Sequence, residues 1–372
     1  MMPTKTLLFT EDSSKSRTEV ESLGGQVIHQ FTPSVFVALL PEGVSPALLR
    51  MSTSQGSKDL SRLDQLAVDS WAAYQQKMQN ESLISTEGLS WDSDGYEAPR
   101  TLSPDSPYSQ DQGLSPSNIS GYNEGVEITG SESFGRDPQE SPQAPLSSCM
   151  IGSVAVGIII VSGDSGEEKF SDEEQSKIIQ EVQEGLDWLA TVEPKAKLSF
   201  SYDIQQIVVS ASPGPYTEET DEYEQWERDW RDAALAELGY QTGYQGYQKY
   251  ASDLRDRRGT KWAYVTFFTK YPLHHFAYSI YSKVVMSYDN DGWGPDSLNR
   301  VFAHESCHIF GALDEYGSCR CESVGGQLSG PNGNCINCLP REQQLPCVMN
   351  ANTLKMCDYT RKQIGWDDSL FP

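Results

Sequence analysis

The segment Ile151–Ser162 limits the possible folds of this chain more than any other. Val154, Val156, Ile158, Ile159, Ile160 and Val161 leave it apolar at nearly every position. A strand with one wet face alternates; a strand that does not alternate must be covered on both faces, as a central strand of a largely parallel sheet is. The flanking pattern agrees. Ser171-Asp172-Glu173-Glu174 opens a helix running to about Thr191, with Ser171 as N-cap and Ile178, Ile179, Val182, Leu186 and Leu189 as its apolar stripe. Lys197–Ser210 alternates as a second strand, Thr217–Leu238 reads as a helix with a solvated acidic face, and Trp262–Phe268 and Phe276–Tyr288 read as further strands. The expectation for residues 149–372 is an α/β (α+β) domain with a mixed, mostly parallel sheet.

Ahead of it the chain changes character twice. Thr4–Thr10 reads as a strand, Ser13–Leu23 as a short helix closed by Gly24-Gly25, and Val27–Phe31 and Val35–Leu40 as two strands, a small β-α-β unit over 1–52. Residues 53–84 form a helical segment, with Leu60, Leu63, Ala67, Trp71, Tyr74 and Met78 as its stripe. Residues 85–148 are dominated by Ser, Pro, Gly and acids, including Pro99, Pro104, Pro107, Pro116, Pro138, Pro142 and Pro145. Such a stretch buries too little apolar area to offset its ordering entropy, so a disordered linker is expected. It carries a glycosylation triplet, Asn118-Ile119-Ser120. The net charge of −25 excludes nucleic acid as a partner, and no apolar run is long enough for a membrane-spanning helix.

The chemistry sits in His304-Glu305-Ser306-Cys307-His308-Ile309-Phe310-Gly311-Ala312-Leu313-Asp314-Glu315-Tyr316. Helix positions four apart share a face, so His304 and His308 offer two imidazoles to one ion. Glu305 is placed as general base toward a water that the ion polarises. Three fixed positions recur by chance in roughly one chain in a hundred, so the extension matters. Gly311 lets the chain turn after the second histidine, and Asp314 can then return as a third ligand. Glu315 and the pair His274-His275 are rivals for that place, and the spacing favours Asp314. The implied reaction is metal-assisted hydrolysis of a peptide bond, with a protein or peptide as substrate.

This spacing resembles the metzincin zinc peptidases, whose motif is HExxHxxGxx followed by a third ligand, usually His. Asp314 in that place resembles the snapalysin-like variant. The resemblance implies a metzincin-like domain with a zinc-binding helix, Zn2+ as cofactor, and a methionine turn beneath the metal, here Cys347-Val348-Met349-Asn350. A Cys-x-Met followed by a further cysteine resembles the adamalysin-like branch and makes Cys347–Cys357 the first disulfide to name. The N-terminal unit resembles subtilisin prodomains in Leu23-Gly24-Gly25-Gln26-Val27, Phe36 and Leu40-Pro41. Together these imply a latent precursor: an inhibitory N-terminal unit, a cleavable linker and a metallopeptidase domain.

Several features stay open at this level. Six cysteines lie at 319, 321, 335, 338, 347 and 357, as disulfides or, with Cys335-x-x-Cys338, as half of a structural zinc site. The cluster favours an oxidising compartment, whereas the short apolar Leu7–Phe9 is no signal-peptide core. Cys149 is a candidate ligand in a latent form. Cys307 reads as a small buried side chain, and Tyr316 as packing or an oxyanion donor. Asp289-Asn290-Asp291-Gly292-Trp293-Gly294-Pro295-Asp296 supplies oxygens suited to Ca2+, but reads better as a turn with Asp296 or Ser297 capping the metal helix. Two other functions compete with the enzyme: a catalytically silent zinc-binding structural or interaction protein, and a serine-protease inhibitor built on the N-terminal unit.

Overall fold

The apolar run lies at the middle of a nine-stranded sheet. The computed structural model describes residues 4–10, 13–44, 60–80, 85–101, 145–212, 222–367, 369 and 371. The elements are β1 (Thr4–Phe9), α1 (Ser13–Ser22), β2 (Gln26–Gln30), β3 (Val35–Leu40), α2 (Arg62–Asn80), β4 (Arg100–Thr101), β5 (Ser153–Gly163), α3 (Asp172–Val192), β6 (Ser199–Val209), α4 (Glu222–Glu237), α5 (Gly243–Arg258), β7 (Trp262–Thr269), β8 (Ala277–Ile280), β9 (Lys283–Ser287), α6 (Leu298–Ile309) and α7 (Asp358–Gln363), with short strands β10 (Val324–Gly325) and β11 (Gly330–Pro331) in a separate pair. The sheet runs β1-β3-β2-β6-β5-β7-β9-β8-β4. Pairing is parallel from β2 through β9, antiparallel between β9 and β8, and parallel again between β8 and β4.

Helices cover both faces, as the lack of alternation in β5 requires. Val154, Val156, Ile158 and Ile160 join one core, with Ile178, Val182, Leu186 and Leu189 of α3 and Leu298, Val301 and Phe302 of α6. Ala155, Ile159 and Val161 join the opposite core, with Trp230 and Leu235 of α4 and Tyr247 and Leu254 of α5. Ser171 and Glu174 close α3 with a reciprocal capping box. Gly185 on α3 is the point of closest approach to the metal helix: a Cβ there would stand 2.5 Å from the Asn299 carbonyl oxygen.

Differences from the sequence reading follow from long-range partners. The expected strand over Phe276–Tyr288 is a hairpin, turned at Tyr281 with φ 54°. The helix α5 was not expected, because Gly, Gln and Tyr dilute its apolar stripe. The acidic face of α4 is not wholly solvated: Glu227 and Arg231 are each 1% exposed. Glu227 bonds to Arg231 and Lys283 and accepts from Tyr278 at 2.6 Å. The partners from β8 and β9 make burial of those charges tolerable, and nothing local announces them. Along α2, Ala67, Trp71 and Tyr74 are buried, but Leu63 and Met78 are 37% and 56% exposed.

The N-terminal strands continue the sheet that carries the motif: His29 and Gln30 of β2 pair with Phe200 and Ser201 of β6. Residues 85–101, expected as linker, are packed, with Trp91 fully buried. The rest of that linker over 102–144, with the Asn118 triplet, lies outside the described residues. Among the described residues no helix is long and apolar enough to cross a membrane.

Asp187 of α3 fastens the N-terminal part. Its carboxylate is bonded by Lys5 of β1, faces His29 Nε2 of β2 at 3.3 Å and accepts from the Tyr74 hydroxyl of α2 at 2.8 Å. Burial opposes the charge, but the His29 hydrogen bond and the Lys5 ammonium outweigh it and hold the carboxyl at about 2. Its stabilisation is present above the ordinary carboxyl value and is lost as pH falls toward 2. Asp187→Ala should cost about 3 kcal/mol in urea unfolding and make residues 4–80 the first to yield to limited proteolysis. A loss below about 1 kcal/mol would show that the strand pairing suffices without it.

Candidate metal centre

Helix α6 presents His304 and His308 one turn apart, and both imidazoles are oriented through their far nitrogens. The Nδ1–H of His304 donates to the Val348 carbonyl at 2.9 Å and that of His308 to the Ala312 carbonyl at 2.8 Å. Each ring thereby turns its Nε2 toward the same point, the nitrogen that would ligate a metal once free of its proton. After His308 the helix stops at Phe310, and Gly311 takes φ 95°. A Cβ at Gly311 would meet the Gly326 backbone at 2.5 Å, so the turn needs glycine both for its dihedral and for its clearance. The turn brings Ala312 beneath His308 and Asp314 back to the histidines.

The three candidate ligand atoms converge. The two Nε2 atoms are 2.9 Å apart, and Asp314 Oδ1 stands 3.3 Å from that of His304 and 3.1 Å from that of His308. Two ligands on a tetrahedral zinc are separated by about 3.3 Å, given bonds of ~2.0–2.1 Å. The triangle therefore admits one ion about 2 Å from all three atoms. The polar atoms around it support the fit. Asp314 Oδ1 is aligned as a hydrogen bond to neither ring, and both Glu305 carboxylate oxygens are buried with no hydrogen-bond partner. Buried orphan carboxylates are costly unless something else satisfies them. The donor set of two imidazoles and a carboxylate suits zinc.

Burial acts first on each charge here. It pushes the Glu305 carboxyl up to about 8. It also disfavours the His308 cation, but the charge of Asp314 outweighs it and raises His308 to about 9. Asp314 is driven far down, against its burial, by the two histidines.

No protein-family model matches this chain, and no curated protein matches it in sequence.

The surroundings sort the remaining candidates. Val348 and Met349 form the turn under His304, both fully buried, and Glu315 N–H donates to the Met349 carbonyl at 3.0 Å. Of the rivals for the third ligand, His274 pairs with Glu222, His275 binds Glu97 and the Ala98 carbonyl, and Glu315 points to Asn334, Asn350, Thr360 and Cys357. None joins the His304–His308–Asp314 group. Cys307 is fully buried, and burial pushes its thiol far up. Tyr316 packs its ring 6.0 Å from that of His304 and donates its hydroxyl to the Pro99 carbonyl.

The expected Cys347–Cys357 disulfide is not formed. Both are buried free thiols, and the bonded pairs are Cys319–Cys335 and Cys321–Cys338. The Cys357 thiol donates to Glu315 at 2.9 Å, while Cys347 shares a hydrogen bond with Thr360 at 3.3 Å and accepts from the Cys357 amide at 3.4 Å, so the two sulfurs lie in one buried polar cluster as thiols. The two disulfides also consume the Cys335-x-x-Cys338 half-site. Cys149 binds Gln327 at 3.0 Å and packs against Gly365, away from the ligand group. The acidic run is dispersed: Asp289 accepts from Ser287, Asp291 from the Glu97 amide, and Asp296 pairs with Lys177. Among the described residues these carboxylates form no three-ligand group for Ca2+. Ser297 takes the N-cap position of α6 without a side-chain cap bond.

Sequence reasoning missed Trp91. Its indole N–H donates to the Val348 carbonyl at 2.6 Å, and its ring meets His304 edge-on at 5.7 Å. A lone tryptophan in a Ser/Pro/Gly-rich stretch was the available signal.

Metal must displace the His308 proton. Apparent Zn2+ affinity should therefore rise about tenfold per pH unit and level off near pH 9, read by competition with a chromophoric chelator. In the metal-free protein the same raised value stabilises the fold below about pH 6.5, and that increment is lost as pH rises through about 9. A pH-independent affinity across this range would contradict the Asp314–His308 coupling.

Proposed function

We propose that this chain is a zinc-dependent metalloendopeptidase of the metzincin type, with His304, His308 and Asp314 as the metal ligands and Glu305 as general base. The observation that carries the proposal is the convergence of three ligand atoms at 2.9–3.3 Å beside a buried carboxylate that lacks any partner. A structural ion held by three side chains needs no such carboxylate; a hydrolytic site does.

When bound, zinc supplies Lewis-acid polarisation of a carbonyl and makes water acidic enough to attack near neutral pH. The residues of the chain do the rest. His304 and His308 hold the ligand geometry through the Val348 and Ala312 carbonyls, so that little reorganisation is needed at the moment of reaction. Glu305 is the residue after His304 on the same helix. Its carboxylate takes the proton of the attacking water and passes it to the leaving amine, the two transfers a peptide hydrolysis requires. Ser279 of β8 faces that carboxylate with its own hydroxyl unpartnered, and serves to position it. The Trp91 and Tyr316 rings pack on His304 and keep water from that side of the ligand.

A second reading, a catalytically silent zinc protein, is favoured by one fact: Glu305 is 0% exposed. Glu305→Gln separates the two. Metal content of the wild type and the variant, each near one equivalent, together with cleavage of unstructured casein, gives the answer. Turnover should fall by at least ~100-fold in the variant while the metal stays. Equal cleavage in both proteins would remove Glu305 from its role, and one bound metal with no cleavage by any form of the wild type would favour the silent reading.

A further inference from the structure

A second group of ligand-type side chains lies outside the candidate metal centre: Glu315, Cys347 and Cys357. One ligand atom from each lies within 4.8 Å of the other two. Glu315 and Cys347 are 0% exposed and Cys357 3%. The group joins three stretches of chain: Glu315 follows Asp314, Cys347 precedes the Val348-Met349 turn, and Cys357 stands at the start of α7. The Glu315 carboxylate accepts from Asn334 at 2.5 Å and Asn350 at 3.0 Å through Oε2, and from Cys357 at 2.9 Å and Thr360 at 3.0 Å through Oε1. All four donors are neutral groups. A buried carboxylate is costly without a counter-charge, and none of these donors supplies one. The sulfurs are held as acceptors as well. Cys347 Sγ accepts the Cys357 amide at 3.4 Å, and Cys357 Sγ accepts the Thr360 amide at 3.5 Å. N–H groups aimed at sulfur favour the thiolate.

We propose that Cys347, Cys357 and Glu315 form a second, structural Zn2+ site, with the Thr360 hydroxyl at its fourth corner. Thr360 Oγ1 stands 3.0 Å from Glu315 Oε1, 3.3 Å from Cys347 Sγ and 3.5 Å from Cys357 Sγ. Neighbouring ligands on a tetrahedral zinc stand about 3.3–3.8 Å apart, given bonds of ~2.3 Å to sulfur and ~2.0–2.2 Å to oxygen, so these separations suit one ion. Two soft thiolates select zinc over calcium or magnesium. Binding displaces the two thiol protons to solvent, and no electron is transferred. Two thiolates and a carboxylate leave the occupied site with one negative charge. The Asn334 and Asn350 amides and the two backbone N–H groups already face it. Closed, four-coordinate sites of this kind hold structure rather than perform chemistry. The ion would fasten the residue after Asp314 and the residue before Val348, whose carbonyl orients His304. The thiolate site stands on its own atoms, and only its effect on the His304–His308–Asp314 group rests on the metal-centre reading.

The test uses the full chain, isolated without reductant so that Cys319–Cys335 and Cys321–Cys338 stay paired, and loaded with Zn2+ or with Co2+ in its place. The wild type should hold two equivalents of metal, the double variant His304→Ala/His308→Ala one, and the double variant Cys347→Ser/Cys357→Ser one. Zinc-edge X-ray absorption of the histidine variant should show two sulfurs at ~2.3 Å, and its Co2+ form a sulfur-to-metal charge-transfer band. The cysteine variant should show neither, and should bind zinc at the histidine site about tenfold more weakly than the wild type. A folded histidine variant that takes up no metal, or metal without sulfur neighbours, overturns the proposal. So does a peptide map in which Cys347 and Cys357 are joined as a disulfide. If the variants do not fold, the wild type decides: an average of one sulfur for each of two ions supports the site, and no sulfur overturns it. One equivalent of zinc bearing two sulfurs in the wild type leaves the thiolate site standing and sinks the reading of His304, His308 and Asp314 as ligands instead.

Discussion

The carbonyl oxygen of Val348 is the point on which this structure depends. It accepts the Nδ1–H of His304 and the indole N–H of Trp91 at once. A single backbone atom thus joins the metal helix, the methionine-bearing turn and the segment arriving from the N-terminal part. The first bond decides which nitrogen of His304 is free to ligate, and the second decides what packs against its ring. The Ala312 carbonyl does the same for His308, and it is in place because Gly311 can adopt a dihedral that other residues avoid. The arrangement of the three candidate ligand side chains is therefore set by two carbonyls and a glycine turn as much as by the side chains themselves.

The sheet is covered at both edges by residues that precede the metal-binding part. Strands β1, β3 and β2 extend it beyond β6, and β4 sits on the opposite edge against β8. Open sheet edges are sites of unwanted pairing, and here one chain segment supplies both covers. The two covers differ in strength. The β6 side has three strands, α2 and the Asp187 hydrogen bonds behind it. The β8 side has two paired residues and a handful of main-chain bonds. The side with fewer holds is the one on which Ser279 faces Glu305. The N-terminal strands continue the same sheet through the β2–β6 pairing.

What could be read from the sequence was whatever repeats at short range. The two-face burial of β5, the capping box and stripe of α3, and the placing of His304, Glu305 and His308 on one helix all follow from spacings of a few residues. Gly311 and Asp314 extend that logic by one turn. The same spacing rule over-reached where partners lie far off: it left Glu227 and Arg231 in solvent and counted Leu63 and Met78 as core, because their environments come from β8, β9 and the limits of α3.

The sequence alone determined which candidate ligand residues share one helix and one turn, since helical period and side-chain chemistry are local properties. Tertiary structure decided which sulfurs pair, where the acids of 289–296 point, and that residues 85–101 of a Ser-, Pro- and Gly-rich stretch pack beside His304. Those outcomes turn on hydrogen bonds to backbone amides and carbonyls from residues some two hundred positions away, as Trp91 to Val348 and Tyr316 to Pro99. Every residue type has the same amide and carbonyl, so such bonds leave no mark in composition or periodicity.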